Sequence, residues 1–186
     1  DVIYANNWSE FRAAVAEVVE SDYSTIVIDT ITRVESYLHA ALCEEYSVAE
    51  VVNIAGGYNK WINISLERWV RLLDYISAVD KNIILIGHAI AKDFKDPMQE
   101  SFKRWEVDLL NEKARQEIYR WADIIAFAHK RYNVVSTKNK TKVLGDDRFV
   151  STQSGLTYEA KNRFSNEELT QFSLESLIKT NKTGDN

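Results

Sequence analysis

The sequence predicts an α/β fold in three layers, with a mostly parallel sheet between two layers of helices. Two short runs, 25–28 and 83–86, are continuously apolar and rich in β-branched residues. Such runs are typical of strands that are buried on both faces of a parallel sheet. Segments with apolar residues three and four positions apart precede and separate these runs, as expected of amphipathic helices. This alternation of strands and helices predicts the fold class.

Hydrophobic periodicity sets the predicted order of elements along the chain. The helical pattern recurs over 8–19, 31–52, 62–79 and 111–122. Strands are predicted over 25–29, 83–86, 105–109 and 124–128, followed by a β-hairpin over 132–148. The glycine-containing segment 54–60 and the polar segment 91–103, which holds the only proline, Pro97, are predicted as loops.

The length of 186 residues indicates one domain. We predict a single domain over residues 1–180 and a disordered tail over 181–186. No apolar run approaches the roughly 18–20 residues that cross a bilayer, so no membrane association is expected. The single cysteine, Cys43, excludes an internal disulfide and a cysteine-based zinc site. The expected compartment is the reducing cytoplasm.

The charge of the chain is unevenly distributed. The net charge is −5, yet residues 129–163 contain eight Lys or Arg against three Asp or Glu, which gives +5. A locally basic stretch in an acidic chain can bind phosphate or nucleic acid. Charge alone equally fits a solvated hairpin whose lysines protect an exposed strand edge.

Polar residues follow the predicted buried strands at the edge where ligands bind in open α/β sheets. The first strand ends in Asp29-Thr30. An apolar strand that ends in aspartate and then Ser or Thr has the Walker B pattern, in which the carboxylate holds Mg²⁺ that bridges nucleotide phosphates. The same two residues also suit a helix N-cap, so both interpretations stay open on this motif alone.

Two further motifs contain groups that recognise phosphate. His88 closes the second strand and could sense a γ-phosphate or an attacking water, or could simply bond a backbone carbonyl. Lys161 and Arg163 lie two residues apart, hence on one side of an extended segment. They could reach a nucleotide in a neighbouring subunit, or be ordinary surface cations. The three histidines have no metal-ligand spacing.

The order of these motifs carries a family resemblance. Thr25–Thr30, Ile83–Ala89 and Ala160–Phe164 follow one another as in RecA-fold ATPases, P-loop NTPases with a three-layer core. The closest resemblance is to small phage nucleotide-binding proteins grouped with single-strand-annealing recombinases. The Gly-His step and the Lys-Asn-Arg-Phe motif also resemble the RadA/Sms branch-migration motors. The resemblance covers about residues 23 to 166.

The resemblance implies that ATP and Mg²⁺ bind between subunits of a homo-oligomer, either a ring or a filament. Asp29 would be the Mg²⁺-associated acid, with Thr30 beside it at the nucleotide. His88 would act as the sensor at the end of the adjacent strand. The protein would act on single-stranded DNA, together with other recombination proteins.

The resemblance further implies residues that act in trans. Lys161 and Arg163 would be the sensor lysine and the arginine finger for the nucleotide of the neighbouring subunit. Tyr158 would pack near the nucleotide. The basic hairpin would face nucleic acid or a neighbouring protomer.

The sequence departs from the family in one motif. No G-x-x-x-x-G-K-[ST] is present, and Gly56-Gly57-Tyr58-Asn59-Lys60 does not satisfy it because Trp61 follows the lysine. We therefore expect an N-terminally incomplete core whose first strand, phosphate loop and helix precede Asp1. On this hypothesis the parent protein is an ATPase and this chain alone is inactive.

Two other hypotheses stay open. The chain could be a non-catalytic binding or assembly module of the same fold, whose basic hairpin contacts phosphates with a steep salt dependence. It could also be an unrelated α/β enzyme in which the strand-end Asp29 and His88 are coincidental.

Overall fold

A computed structural model describes residues 1–95, 100–137 and 140–164, and for residues 131–147 it describes the backbone alone. The chain divides into two compact units. The first contains Asp1–Ile90 and Val107–Trp121, and the second contains Ala91–Glu106 and the described residues from Ala122 onward.

The first unit contains most of the helices and the parallel strands. Its elements are α1 (Trp8–Val19), β1 (Thr25–Asp29), α2 (Ile31–Glu45), a 3-10 segment (Val51–Gly56), α3 (Lys60–Ser77), β2 (Asn82–Ile86) and α4 (Glu112–Trp121). All four predicted helical patterns and both apolar runs therefore form elements of the predicted type. The α/β class is confirmed.

Strands β1 and β2 pair in parallel, with a register that runs from Thr25 opposite Asn82 to Asp29 opposite Ile86. Ile26 and Ile28 are buried in the core, whereas Val27 is 53% exposed. The prediction of strands buried on both faces is therefore wrong for β1. Alternate side chains of a strand point to opposite faces, and within the described residues one face of β1 is left uncovered.

The core of the first unit lies mainly on α2 and α3. Leu38 and Leu42 of α2, and Trp69 and Ile76 of α3, are each at most 1% exposed. Their spacing of four and seven residues places them on one helical face. This amphipathic pattern explains why α1, α2 and α3 could be predicted from sequence.

Helix α2 is shorter than predicted, because it ends at Glu45 rather than near Val52. Ser47 has a φ of 52°, in the left-handed region, and the Val48 N–H donates to the Cys43 carbonyl (3.0 Å). This cap satisfies a terminal carbonyl of the helix. The apolar residues after it belong to the 3-10 segment.

The segment predicted as the loop 91–103 contains strand residues, which corrects that prediction. Strands β3 (Ala89–Phe94) and β4 (Phe102–Val107) form a two-stranded sheet. Within the second unit, the rings of Phe94 and Phe102 lie 5.2 Å apart, and the Arg104 guanidinium lies 5.3 Å from the centre of the Phe94 ring. Cross-strand side-chain pairs of this kind stabilise a sheet. Pro97 lies outside the described residues.

The second unit also contains a long β-hairpin. Strands β6 (Phe127–Thr137) and β7 (Lys140–Ser151) pair antiparallel, so the predicted hairpin 132–148 is confirmed and extends further at both ends. Its tip, residues 138 and 139, lies outside the described residues. Strand β5 (Ile124–Ile125) pairs antiparallel with β8 (Lys161–Asn162). The prediction of one buried strand over 124–128 is therefore wrong.

The parallel sheet of the described residues consists of β1 and β2, so a three-layer core stays a prediction. The predicted domain boundary at residue 180 and the tail 181–186 lie outside the described residues. Among the helices that the structure describes, none is long and apolar enough to cross a membrane.

Candidate nucleotide site

The carboxyl ends of β1 and β2 bring two of the predicted site residues to one sheet edge. Asp29 pairs in register with Ile86, and Gly87 and His88 follow directly. The two strand ends are therefore neighbours. In parallel sheets, residues from the loops that follow such neighbouring strand ends form the ligand site.

The Asp29 carboxylate is exposed at this edge. It makes no hydrogen bond or ion pair with any residue in the described part of the chain. The peptide bond from Asp29 to Thr30 is cis. The N-cap of α2 is Thr30, whose Oγ1 accepts a hydrogen bond from the Arg33 N–H (3.3 Å). Thr30 therefore caps α2, its hydroxyl keeps a hydrogen that it can donate, and the Asp29 carboxylate faces solvent.

His88 is held by its backbone while its side chain remains exposed. Its N–H donates to Thr32 Oγ1 (3.3 Å), and its carbonyl accepts from the Asp108 N–H (2.8 Å). The imidazole makes no hydrogen bond with a described residue. The alternative interpretation, a histidine side chain that bonds a backbone carbonyl, is therefore not what the described residues show.

Gly87 fixes the path of the chain into His88. A Cβ at this position would lie 3.1 Å from Val107 Cγ1 and 3.3 Å from Ile31 Cγ1, so both neighbours leave room for little more than a hydrogen. Close backbone approach is a common reason for glycine at the end of a strand.

A buried carboxylate, that of Glu35, holds the chain segment that contacts His88. Glu35 of α2 is 5% exposed and accepts hydrogen bonds from the N–H groups of Leu110 (2.6 Å) and Asn111 (3.0 Å). Asn111 in turn caps α4, because its Oδ1 accepts from the Lys113 and Ala114 N–H groups. This network anchors the segment that begins with Asp108, the partner of the His88 carbonyl.

His39 lies in a different buried environment. Its Nε2 is 3.2 Å from Ser65 Oγ and 3.9 Å from Glu35 Oε1. Burial lowers the pKa of His39 to about 4, so desolvation outweighs the nearby carboxylate and the ring is neutral near pH 7. We interpret His39 as a structural histidine, because its ring is largely buried within α2 and contacts Ser65.

Lys161 and Arg163 lie close together in the second unit. The Arg163 Nη1 donates to Asp123 Oδ1 (2.6 Å), and the Arg163 N–H donates to the Asp123 carbonyl (3.2 Å). Burial lowers the pKa of Lys161, the charge of Arg163 lowers it further, and Asp123 opposes both. The two cations therefore interact electrostatically, with Asp123 as their shared counter-charge.

Tyr158 belongs to an aromatic cluster of the second unit. Its ring is stacked on Phe127, with centroids 4.9 Å apart and planes 14° apart, and lies 5.9 Å from the ring of His129. A Cβ on Gly155 would lie 2.9 Å from the Tyr158 ring. The ring is thus held on two sides within its own unit.

A family model described as an AAA domain matches residues 1–164. The chain belongs to the AAA domain family. No curated protein matches it significantly, and no solved structure does so either. This family is of the P-loop ATPase type, so the chain is a nucleotide-binding, ATPase-like module, and such modules usually use Mg²⁺ with their nucleotide.

The donors at the strand ends of this AAA domain fit Mg²⁺. Mg²⁺ keeps several waters and is usually held by one or two carboxylates together with substrate phosphates. Asp29 offers one exposed carboxylate, and Thr30 adds a hydroxyl. Among the described residues, no group of three or more His, Cys, Asp or Glu side chains could hold a metal by itself. The fit is therefore to a metal that arrives with nucleotide.

Sequence reasoning missed three supporting residues: Thr32, Glu35 and Asp123. Glu35 gives a signal, because a charged residue stands on the apolar face of α2 between Val34 and Leu38. Asp123 lies within residues 23 to 166, which the family resemblance covers. Thr32 bonds a backbone N–H across 56 residues, and no local pattern indicates such a contact.

Proposed function

We propose that this AAA domain is a RecA-like, three-layer nucleotide-binding core spanning residues 1–180. It binds ATP and Mg²⁺ between subunits of a homo-oligomer and acts on single-stranded DNA in phage-type recombination. The observation that carries the proposal is the pairing of β1 with β2, which places Asp29 and Gly87-His88 side by side. Membership of the AAA domain family supports nucleotide as the ligand.

In the proposed site, Asp29 binds Mg²⁺ through water or directly, and Thr30 contributes its hydroxyl beside the nucleotide. Bound Mg²⁺ neutralises charge on the phosphate oxygens. The exposed Asp29 carboxylate supports this role, because a carboxylate already engaged in an ion pair would have to exchange that partner first.

His88 is the proposed sensor of the terminal phosphate or of the attacking water. Two backbone hydrogen bonds fix its main chain, while the imidazole stays exposed. A fixed backbone with a side chain in solvent suits a residue that must respond to the state of a ligand.

Lys161 and Arg163 are proposed to act in trans on the nucleotide of a neighbouring subunit. Asp123 orients the Arg163 guanidinium, and Lys161 supplies a second cation beside it. An arginine finger of this kind stabilises the charge that develops during phosphoryl transfer. The aromatic stack around Tyr158 gives the segment a rigid support, and Tyr158 is proposed to pack near the base or ribose.

A second candidate function follows from the lack of a phosphate-loop motif in this sequence. The 186 residues contain no G-x-x-x-x-G-K-[ST], and this loop supplies the backbone N–H groups that cradle phosphates in P-loop proteins. A non-catalytic RecA-fold module that binds partners or DNA is therefore the alternative to an ATPase.

The deciding experiment is a titration of the full chain with a fluorescent ATP analogue, in excess Mg²⁺ and in EDTA. We expect weak binding that requires Mg²⁺ and is lost in Asp29→Asn. The matched control is Asp80→Asn, since Asp80 is an exposed aspartate just before β2 at the opposite end of the strands. His88→Ala should retain binding. Binding that survives Asp29→Asn would contradict the metal assignment, and no binding at all would favour the non-catalytic module.

A further inference from the structure

A groove of about 450 Å³ lies between α1 and α3 in the first unit. Its floor is apolar and includes Val15 and Leu72, which are 4% and 8% exposed. The volume falls within the range of about 300–1,000 Å³ that is usual for ligand pockets. The groove is separate from the strand-end residues, since none of Asp29, Thr30 and His88 lines it.

Arginine and aromatic side chains line this groove from both helices. Trp8 and Arg12 are four residues apart on α1, and Arg68, Arg71 and Tyr75 are three and four residues apart on α3. Side chains at these spacings share one face of a helix. Each helix therefore presents at least one ring and one guanidinium to the groove.

The cations of the groove differ in how they are held. Arg68 reaches both carboxylate oxygens of Glu45 through one nitrogen, Nη2, at 3.1 Å each. Arg71 pairs with Glu67 one turn earlier on α3. Arg12 is exposed and makes no ion pair with any residue that the structure describes. Among the described residues, the groove thus contains one guanidinium with no ion-pair partner and two that are oriented by carboxylates.

The aromatic rings are accessible within the groove. Tyr75 is 46% exposed. Trp8 is half-buried and stacks on Phe11 at 5.6 Å, which fixes its orientation. A ring with a free face stacks with an unpaired base, and guanidinium groups bind phosphate.

We infer that the groove between α1 and α3 binds a short stretch of single-stranded nucleic acid, with bases on Tyr75 and Trp8 and phosphates on Arg12 and Arg71. This inference rests on the proposed function for the choice of DNA as the polymer. It places the nucleic-acid binding site in the first unit, between two helices. The uneven charge of the sequence would instead place that site on the hairpin of residues 127–151.

An unpaired strand fits the groove better than two other anions. Duplex bases are stacked on each other and offer no face to Tyr75, so the rings select single strands. An acidic peptide would satisfy the arginines but not the exposed aromatic faces. Polyglutamate therefore serves as a competitor in the test.

The test is fluorescence anisotropy of a labelled twelve-nucleotide oligo(dT) with the full chain, without ATP and at several salt concentrations. We expect Tyr75→Ala to raise the Kd about 5- to 100-fold, which is the effect of one base-stacking contact. Arg12→Gln and Arg71→Gln should each lower the slope of log K against log salt by about 0.7, the value for one phosphate contact on a single strand.

Matched controls separate this effect from unfolding. Tyr58→Ala removes a tyrosine that is 94% exposed and lies outside the groove. Arg120→Gln breaks an exposed ion pair with Glu117 on α4, similar to that of Arg71 with Glu67. Both should bind oligo(dT) as the wild type does, and far-UV circular dichroism should show that every variant is folded.

Three results would overturn the inference. The first is unchanged binding in the groove variants combined with loss in Lys130→Gln and Arg148→Gln of the hairpin. The second is displacement of oligo(dT) by polyglutamate, or by free dTMP at equal nucleotide concentration. The third is absence of any oligo(dT) binding by the folded chain. The oligo(dT) measurement contains no ATP and reports on the groove alone, whereas the titration with the ATP analogue reports on the strand-end site, so failure of the nucleotide site and failure of the groove are distinguishable.

Discussion

Arg163 and Asp123 are joined twice, once by their side chains and once by their backbones. The guanidinium and the carboxylate are each about half exposed, at 50% and 58%. An exposed ion pair contributes little to stability, typically about 0–1 kcal/mol. The double attachment therefore fixes the position of the Arg163 guanidinium more than it stabilises the fold.

This relationship predicts a separation of activity from stability. Asp123→Ala should lower the free energy of unfolding by about 1 kcal/mol or less, measured by urea denaturation, yet reduce any ATP turnover of the oligomer. Arg163→Ala should reduce turnover by about 10³-fold or more, the usual contribution of an arginine finger, while isolated subunits still bind nucleotide.

Glu117→Ala is the control for this prediction, because it breaks the exposed pair with Arg120 and should leave turnover intact. Normal turnover in Arg163→Ala would show that Arg163 is not the finger. A loss of several kcal/mol in Asp123→Ala would show that the pair is structural.

The second prediction concerns Glu35, which accepts two backbone N–H groups at the start of α4. Glu35→Ala leaves both donors without this acceptor. The Asn111 N–H is buried, and a buried unsatisfied group costs about 1–3 kcal/mol, whereas the Leu110 N–H is only partly buried and water can reach it. We expect a loss of about 1–3 kcal/mol in the free energy of unfolding. Glu35→Gln keeps one carbonyl oxygen as acceptor and should lose less.

Glu10→Ala is the comparison for Glu35, because Glu10 also accepts a backbone N–H, from Asn6, but is exposed. Its effect on urea denaturation should be much smaller. Equal losses in the two alanine variants would mean that water replaces the Glu35 acceptor and that the network is not a buried one.

Local patterns account for the parts of the fold that the sequence predicts correctly. Helices α1 and α3 and strands β1 and β2 have apolar periodicities long enough to specify their type. The end of α2 depends on Ser47 adopting a left-handed conformation, which no apolar pattern reports. Most of strand β3 and the start of β4 lie in the segment predicted as a loop, because their sequence is polar and their pairing is not local. The predicted strand 105–109 overlaps the end of β4.

In the candidate site too, some residues could be predicted from local patterns and others could not. Asp29 and His88 could be found because each ends an apolar run, and the topology of a parallel pair brings such ends together. The Glu35 network depends on contacts 75 and 76 residues apart. Contacts of this kind arise from packing, and a single sequence records only that a charged residue stands on a buried face.

The third prediction is a pH dependence of stability due to His39. Burial lowers the pKa of His39 in the folded protein to about 4, from 6.5. Between these values the unfolded state binds one more proton than the folded state, so stability falls as the pH decreases. The two pKa values correspond to a loss of about 2 kcal/mol between pH 7 and pH 5.

His39→Gln should remove this component, because glutamine does not titrate and can still bond Ser65. The measurement is the free energy of unfolding in urea from pH 5 to pH 7 for the wild type and the variant. His88→Gln, which changes an exposed histidine, should follow the wild type. Parallel curves for wild type and His39→Gln would show that His39 titrates alike in the folded and unfolded states.

The last prediction concerns the support of Tyr158. A Cβ at position 155 would lie 2.9 Å from two ring atoms of Tyr158, and the ring is stacked on Phe127, so it cannot move away without breaking that stack. Overpacking of this kind typically costs about 1–3 kcal/mol, and we expect that loss in Gly155→Ala.

Tyr158→Ala removes the obstructing ring. Gly155→Ala should therefore cost almost nothing further in the Tyr158→Ala background, which a double-mutant cycle of unfolding free energies measures. Additive effects of the two substitutions would mean that Gly155 is required for its backbone conformation rather than for its contact with Tyr158.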